Sequence, residues 1–373
     1  SRGAGANQKN WYLTNGADDP QGEVAPTDPT DPTEPGIPEP SASNNVMLRP
    51  EAGSYTANLA AANTMFNTRL HDRLGETQYT DALTGEKNVT SLWLRQVGTH
   101  NSSRSNIGSL KTTSNQYVVM LGGDLAQWSS DGLDRGHLGI MGGYGNNQSN
   151  TRSSVTGYSA KGQVNGYSVG LYGTWYANDA DKTGLYIDSW AQYGWFKNTV
   201  KGEDLPQEKY DSSGLSASLE SGYTWKVGEF SGSKQSLNSV YIQPQVQITW
   251  MGVKADNHTE GNGTRINSDG DGNIQTRLGT RVFLKGHSNI DEGKGREFEP
   301  FVEANWLHNT RSYSTSMNSV RISQDGARNI GELKTGVEGQ LSRNLTAWGN
   351  VGQQVGDKGY FNTEAMLGVK YSW

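Results

Sequence analysis

From Phe361 to Trp373 the chain changes character at every residue. Phe361, Thr363, Ala365, Leu367, Val369, Tyr371 and Trp373 fall on one parity, and Asn362, Glu364, Met366, Gly368, Lys370 and Ser372 on the other. Side chains alternate faces along a strand, so one face is apolar with aromatics at both ends and the other is polar. At about 3.3 Å per residue and a tilt of roughly 45°, such a strand spans about 30 Å, the hydrocarbon thickness of a bilayer. A half-buried strand of a soluble sandwich alternates in the same way, so the rest of the chain decides.

The alternation recurs. Leu215, Ala217, Leu219, Tyr223 and Trp225 stand against Ser216, Ser218, Glu220, Thr224 and Lys226. Ile274, Leu278 and Val282 stand against Asn273, Gln275, Arg277 and Arg281, and Leu333, Val337 and Leu341 against Glu332, Lys334, Glu338 and Gln340. Stretches 167–175 and 240–250 repeat it, with weaker strand signals at 92–100, 117–128, 137–144, 185–196, 298–308 and 345–355. Bounded by Gly, Asn, Asp and Ser, these make about twelve strands. The breaks at 101–114, 146–155, 199–210, 255–272 and 310–328 read as long loops, and those at 178–183 and 342–343 as short turns. Long loops on one side and short turns on the other mark an outer-membrane barrel. The expected fold is all-β: a twelve-stranded antiparallel transmembrane β-barrel over 77–373, whose even strand count puts both its ends in the periplasm.

One segment has the helical period instead. Over 51–74, Tyr55, Leu59, Ala62, Met65, Phe66 and Leu70 share a face, Pro50 and Glu51 suit a first turn, and Gly75 follows Arg69 and Arg73 as a stop. About 24 residues at 1.5 Å make roughly 36 Å, long enough to cross a membrane. Asn58, Asn63, Asn67, Arg69, His71, Asp72 and Arg73 forbid lipid contact. A barrel of this strand number has a backbone diameter of about 26 Å, room for one helix. An N-terminal α-helix within 46–76 is therefore expected in the lumen, with its N-terminus pointing outward. Before it, 18–45 holds seven of the 11 prolines and has no apolar side to bury, which predicts an extended linker. Within 1–17, Asn10-Trp11-Tyr12-Leu13-Thr14 is a lone β-like stretch.

Composition sharpens this picture. Hydrophobic residues are only 33%, yet there are 11 Trp, 17 Tyr and 48 Gly. A barrel with a wet lumen should look so, because its lipid-facing residues are diluted one-to-one by polar ones. No apolar run is long enough for a spanning helix. No cleavable secretory signal opens the sequence, so the chain is expected to be the C-terminal piece of a longer precursor. The net charge of −6 gives no reason to expect nucleic acid as a partner.

Candidate chemistry is sparse. There is no nucleophile elbow and no metal-ligand spacing, so no catalytic residue, metal or cofactor is expected. The inward parities carry Arg95, Asp124, Glu220, Arg277, Arg281, Glu338 and Glu364, together with Asp188, Glu303 and Lys370. Facing Arg69, Asp72 and Arg73 of the helix, these mixed signs predict ion pairs that hold the helix to the wall. The alternative is a screened lumen in which each pair is worth under about 1 kcal/mol.

The order of parts carries a resemblance. A linker precedes a lumen helix containing Leu48-Arg49-Pro50-Glu51-Ala52-Gly53-Ser54-Tyr55, and a twelve-strand barrel ends on an aromatic. Leu92-Trp93-Leu94-Arg95 opens the barrel and Leu121-Gly122-Gly123-Asp124-Leu125 sits in its second strand. Together they resemble the C-terminal translocator domain of type V autotransporters, most of all the AIDA-type adhesins of enteric bacteria. The resemblance implies a bacterial outer-membrane location in contact with lipid. It implies a translocator and anchor, not an enzyme, that supports export and surface display of an upstream adhesin passenger. The stretch around Asn10 is similar to the end of the family's passenger. The resemblance also implies a monomer that meets periplasmic chaperones and is inserted by the barrel-assembly machinery. That machinery would read the terminal strand through Leu367, Val369, Tyr371 and Trp373. Some autotransporters cut themselves between two asparagines in the lumen. Here Asn44-Asn45 precedes the helix, and its flanks Ser41-Ala42-Ser43 and Val46-Met47 do not match. A self-cleaving barrel is the alternative function.

Overall fold

A computed structural model describes residues 48–74, 91–107, 109–232, 237–287, 297–342 and 344–373. The 1–17 stretch, the 18–45 linker and Asn44-Asn45 lie outside the described residues. Two helices come first, α1 (Glu51–Thr64) and α2 (Leu70–Leu74). Then follow β1 (Ser91–Ser105), β2 (Leu110–Trp128), β3 (Arg135–Ser153), β4 (Ser159–Tyr176), β5 (Gly184–Gly202), β6 (Glu208–Ser231) and β7 (Leu237–Met251). Three short strands, β8 (Lys254–Ala255), β9 (His258–Thr259) and β10 (Arg265–Asp269), lead into β11 (Asn273–His287) and β12 (Glu297–Asn309). The hairpin β13 (Ser314–Met317) and β14 (Val320–Asp325) precedes β15 (Asn329–Gln340), β16 (Leu345–Val355) and β17 (Phe361–Ser372).

The twelve strands β1–β7, β11, β12 and β15–β17 form one antiparallel wall. It closes where β1 pairs β17, from Ser91 opposite Ser372 to Ser102 opposite Phe361. Closure leaves no unpaired edge. The period-two pattern sets the facing. Leu215, Leu219 and Trp225 are about half exposed on the outside, while Ser216, Ser218 and Glu220 are buried inside. Outside, Tyr144, Tyr167 and Trp195 form a run of touching rings, with centroids 5.3 and 6.3 Å apart. They mark the extracellular end of the apolar band, and Trp128 and Trp225 lie near its periplasmic end.

Three of the expected long loops are mostly strand. β1 and β2 leave only 106–109 between them, β3 and β4 only 154–158, and β5 and β6 only 203–207. Their outward residues, such as Gln148, Asn150 and Lys161, are polar because this part of the wall stands above the membrane. Polarity there reads as loop although the ladder continues. The connections 252–272 and 310–328 are long, and fold into β8–β10 and β13–β14. β10 pairs β13, and Arg104 and Ser105 of β1 pair β14.

The lumen helix differs from the single membrane-length helix expected over 51–74. α1 has 14 residues, about 21 Å, and stops before the chain re-forms a turn in α2. The cause is local. The side chains of Asn63, Thr64 and Asn67 each donate back to the carbonyl four residues earlier, at 3.0, 2.7 and 3.1 Å, a competition that weakens and bends helices. The wall then completes the break. Gln192 Nε2 donates to the Phe66 carbonyl at 2.7 Å, and Trp190 Nε1 and Gln247 Nε2 donate to the Thr68 carbonyl at 2.8 and 3.0 Å. Met65, Phe66 and Leu70 are buried in one apolar cluster with Val118, Val164 and Phe196, while Thr64 is exposed and Asn67 and Arg69 are half-buried.

Candidate functional site

α1 stands in the extracellular half of the lumen. Its Gly53 and Ser54 approach Thr112 and Thr151, and Asn58 Nδ2 donates to the Thr199 carbonyl and to the Tyr210 hydroxyl at 3.2 and 3.1 Å. The two long loops hold the same helix from above. Asn63 exchanges two 3.0 Å hydrogen bonds with the Val253 backbone, and Thr56 bonds Thr315 at 3.0 Å.

The mouth of the barrel is closed on Arg49. Its guanidinium donates to Glu260 at 2.8 Å, to Glu51 at 3.1 Å and to Thr264 at 3.1 Å. Tyr55 adds a 3.0 Å bond to Glu260 and tilts against Tyr210, on which His258 stacks at 4.8 Å. Burial works against the Arg49 charge, but Glu51 and Glu260 outweigh it and raise its pKa above the ordinary value. The sequence pattern could not reach Glu260, because 255–272 has no alternation to say which way a residue points.

The three charged residues expected to face the wall are Arg69, just before α2, and Asp72 and Arg73 within it. Arg69 forks onto Glu332 at 2.6 and 3.0 Å and reaches Glu303 at 3.4 Å. Asp72 lies 3.5 Å from Lys334 and 4.0 Å from Arg95. Arg73 is fully buried, bonds Asp188 and Thr68, and lies 4.8 Å from the Tyr172 ring centroid. Glu220 accepts the Leu70 N–H at 3.2 Å, and also holds Arg277 at 3.2 Å and the Tyr186 hydroxyl at 2.7 Å.

The other charges named from parity serve the wall. Asp124 bonds His137 and the Tyr172 hydroxyl at 3.0 and 2.6 Å, and meets the helix only through the Tyr172 ring under Arg73. Arg281 pairs with Glu338 at 2.8 Å and covers the Phe301 ring. Arg277 bonds Gln245, Gln247 and Asn305. Glu364 lines a cavity of about 220 Å³ beside α1, where Ala57, Ala60 and Ala61 face β1, β2 and β15–β17. So Arg69 and Arg73 meet Glu332 and Asp188, not the Glu220 and Glu338 that parity also allowed. Glu332 and Lys334 share the inward parity of Glu338, so that signal contained them. Trp190, Gln192 and Gln247 are neutral, and a search for charges passes over them.

In the last strand Leu367, Val369 and Tyr371 face outward, and Trp373 stacks on Tyr371 at 5.8 Å. Among the described residues the arrangement holds no group of three or more metal-ligating side chains. It is a closed barrel whose lumen is threaded by its own N-terminal segment, from the extracellular mouth to near the periplasmic end.

Known proteins share this arrangement. The family model described as the autotransporter beta-domain matches residues 92–352. YuaQ of Escherichia coli (strain K12) is 59% identical over all of this chain, which spans 26% of it. The autotransporter adhesin AIDA-I of Escherichia coli is 38% identical over 99% of the chain, which spans 27% of it. The chain thus corresponds to about a quarter of each of these two relatives. The crystal structure of the AIDA-I transport unit superposes with a TM-score of 0.78 at 39% identity, covering 88% of this chain and all of that one. The barrel is therefore an outer-membrane translocator, and the chain belongs to the autotransporter beta-domain family.

Proposed function

We propose that this chain exports an upstream adhesin passenger and then anchors it at the cell surface. One observation carries the reading: α1 and α2 fill the lumen, with the N-terminal end at the mouth closed by loops 252–272 and 310–328. A chain leaving Leu48 toward its N-terminus starts outside the membrane, so residues 18–45 would serve as the stalk and 1–17 as the last piece of the passenger. The buried pairs Arg69–Glu332 and Arg73–Asp188 keep the threaded segment from sliding back. The role is transport, and no step of it needs bond-making by the barrel. The outward row Leu367, Val369, Tyr371 and Trp373 is the surface offered to the barrel-assembly machinery, with periplasmic chaperones holding the chain before insertion. Nothing in the closed wall asks for a second copy, so the barrel acts as a monomer.

The test is display in cells. A secretory signal and an epitope-tagged adhesin-like passenger are placed before Ser1, and protease is added to intact cells. The tag is expected to be cut from outside while the barrel remains in the outer membrane. A tag that stays protected, with the barrel correctly folded, rejects the export reading.

A further inference from the structure

The outer face of the wall above the aromatic girdle carries a row of basic side chains. Arg104 of β1 stands opposite Lys111 of β2, and Lys111 opposite Arg152 of β3. Lys161 of β4 stands opposite Asn150 and therefore diagonal to Arg152. Lys161 also stands opposite Lys201 of β5, and Lys209 of β6 faces Thr199, diagonal to Lys201. All six are exposed, and none makes an ion pair or side-chain hydrogen bond to a described residue. Three nearby carboxylates are otherwise engaged or opposite the row's end. Asp211 pairs with Lys197, Glu203 accepts the Ser159 N–H at 3.1 Å, and Asp325 lies across from Arg104. Like charges directly opposite one another destabilise a sheet, and this sheet places three such pairs side by side.

Height identifies what would offset that cost. Lys111, Lys161 and Lys201 each stand six residues beyond Tyr117, Tyr167 and Trp195. At about 3.3 Å per residue and a 45° tilt, that is roughly 14 Å above the girdle. The head-group layer adds about 5–8 Å to each side of the hydrocarbon. A lysine stem reaches back several ångströms with its ammonium extended, so the charges arrive at the top of that layer. We infer that this row binds the phosphate groups of anionic glycolipid heads in the outer leaflet around the barrel. The acidic segment 18–45 of the same chain, with Asp28, Asp31, Glu34 and Glu39 among its residues, has complementary charge too, but its binding would not require the row to sit at head-group height.

The full chain, folded in non-ionic detergent, is titrated with a phosphorylated acylated disaccharide lipid and with the same lipid after phosphate removal. Thermal unfolding is read from heat-modifiable gel mobility. The phosphorylated lipid is expected to raise Tm by several degrees, the dephosphorylated one not, and the shift should shrink as salt rises. In K161Q/K201Q the lipid-free Tm should hold or increase, because a like-charge pair is gone, while the apparent lipid affinity falls at least tenfold. K111Q/R152Q gives the same readout from the other end of the row if the first variant folds poorly. Equal stabilisation by both lipids, or unchanged affinity in both variants, overturns the inference. So does a phosphate-dependent shift seen only after removal of 18–45, which would assign the row to the acidic segment.

Discussion

At the scale of single residues, facing follows from parity, and parity is written in the sequence. Leu219 points into lipid and Glu220 into the lumen because they are neighbours on one strand. A charge at Leu219, near the middle of the apolar band, has no water to reach. Leu219→Arg is expected to destabilise the barrel by about 2–4 kcal/mol. Gln148→Arg, on an outward position above the girdle, should change stability by no more than about 0.5 kcal/mol. Urea unfolding of both variants in the same lipid checks the pair, and equal losses would place Gln148 inside the membrane. Partner choice was less legible than facing. Several inward carboxylates lie within reach of an arginine, and parity cannot rank them. Arg69 takes Glu332 instead of Glu220 because the broken helix turns its carbonyls and its Leu70 N–H toward β5–β7, leaving Glu220 to accept that N–H.

At the scale of elements, the sequence pattern resolves strands well and the helix only in part. A twelve-residue strand with one wet and one greasy face repeats a signal at every second position, so β17 was visible end to end. The helical stretch 51–74 carries the right period, yet its middle is set by hydrogen bonds from β5 and β7 that no local pattern records. Polar strand extensions above the membrane read as loops because their outward residues meet water, although the β2–β3 ladder continues there with the helix packed behind it. Gly53 shows how close that packing is. A Cβ at Gly53 would lie 2.5 Å from Thr151 Cγ2 and 2.9 Å from Thr112 Oγ1. Both threonines are stiff, β-branched and bonded to each other at 2.8 Å. Helix propensity alone favours Gly53→Ala by about 0.5–1 kcal/mol. Overpacking against the wall costs about 1–3 kcal/mol, so the net expectation is a loss. Thermal unfolding decides the sign, and a higher Tm for Gly53→Ala would mean that α1 does not press on β2 and β3.

At the scale of the whole molecule, wall and thread have separable tasks. The wall closes through β1 and β17 without help from residues 48–74, so a barrel lacking 1–74 should still insert and shift its gel mobility on heating. The thread decides what passes. With α1 against β3–β5 and loops 252–272 and 310–328 resting on it, the open space beside it is about 220 Å³. Deleting 1–74 removes the thread and the partners of Val253, Glu260 and Thr315 in one step. It also leaves Asp188 and Glu332 without their arginines, and uncompensated charge in the lumen is costly where water is scarce. The truncated barrel is therefore expected to be less stable, and to recover part of the loss by admitting water. In a planar bilayer at matched salt it should conduct strongly and steadily, whereas the intact chain should conduct weakly and in brief events. Equal single-channel conductance in the two forms would mean that the thread does not obstruct the pore, and that tethering of the passenger must come from the loops alone.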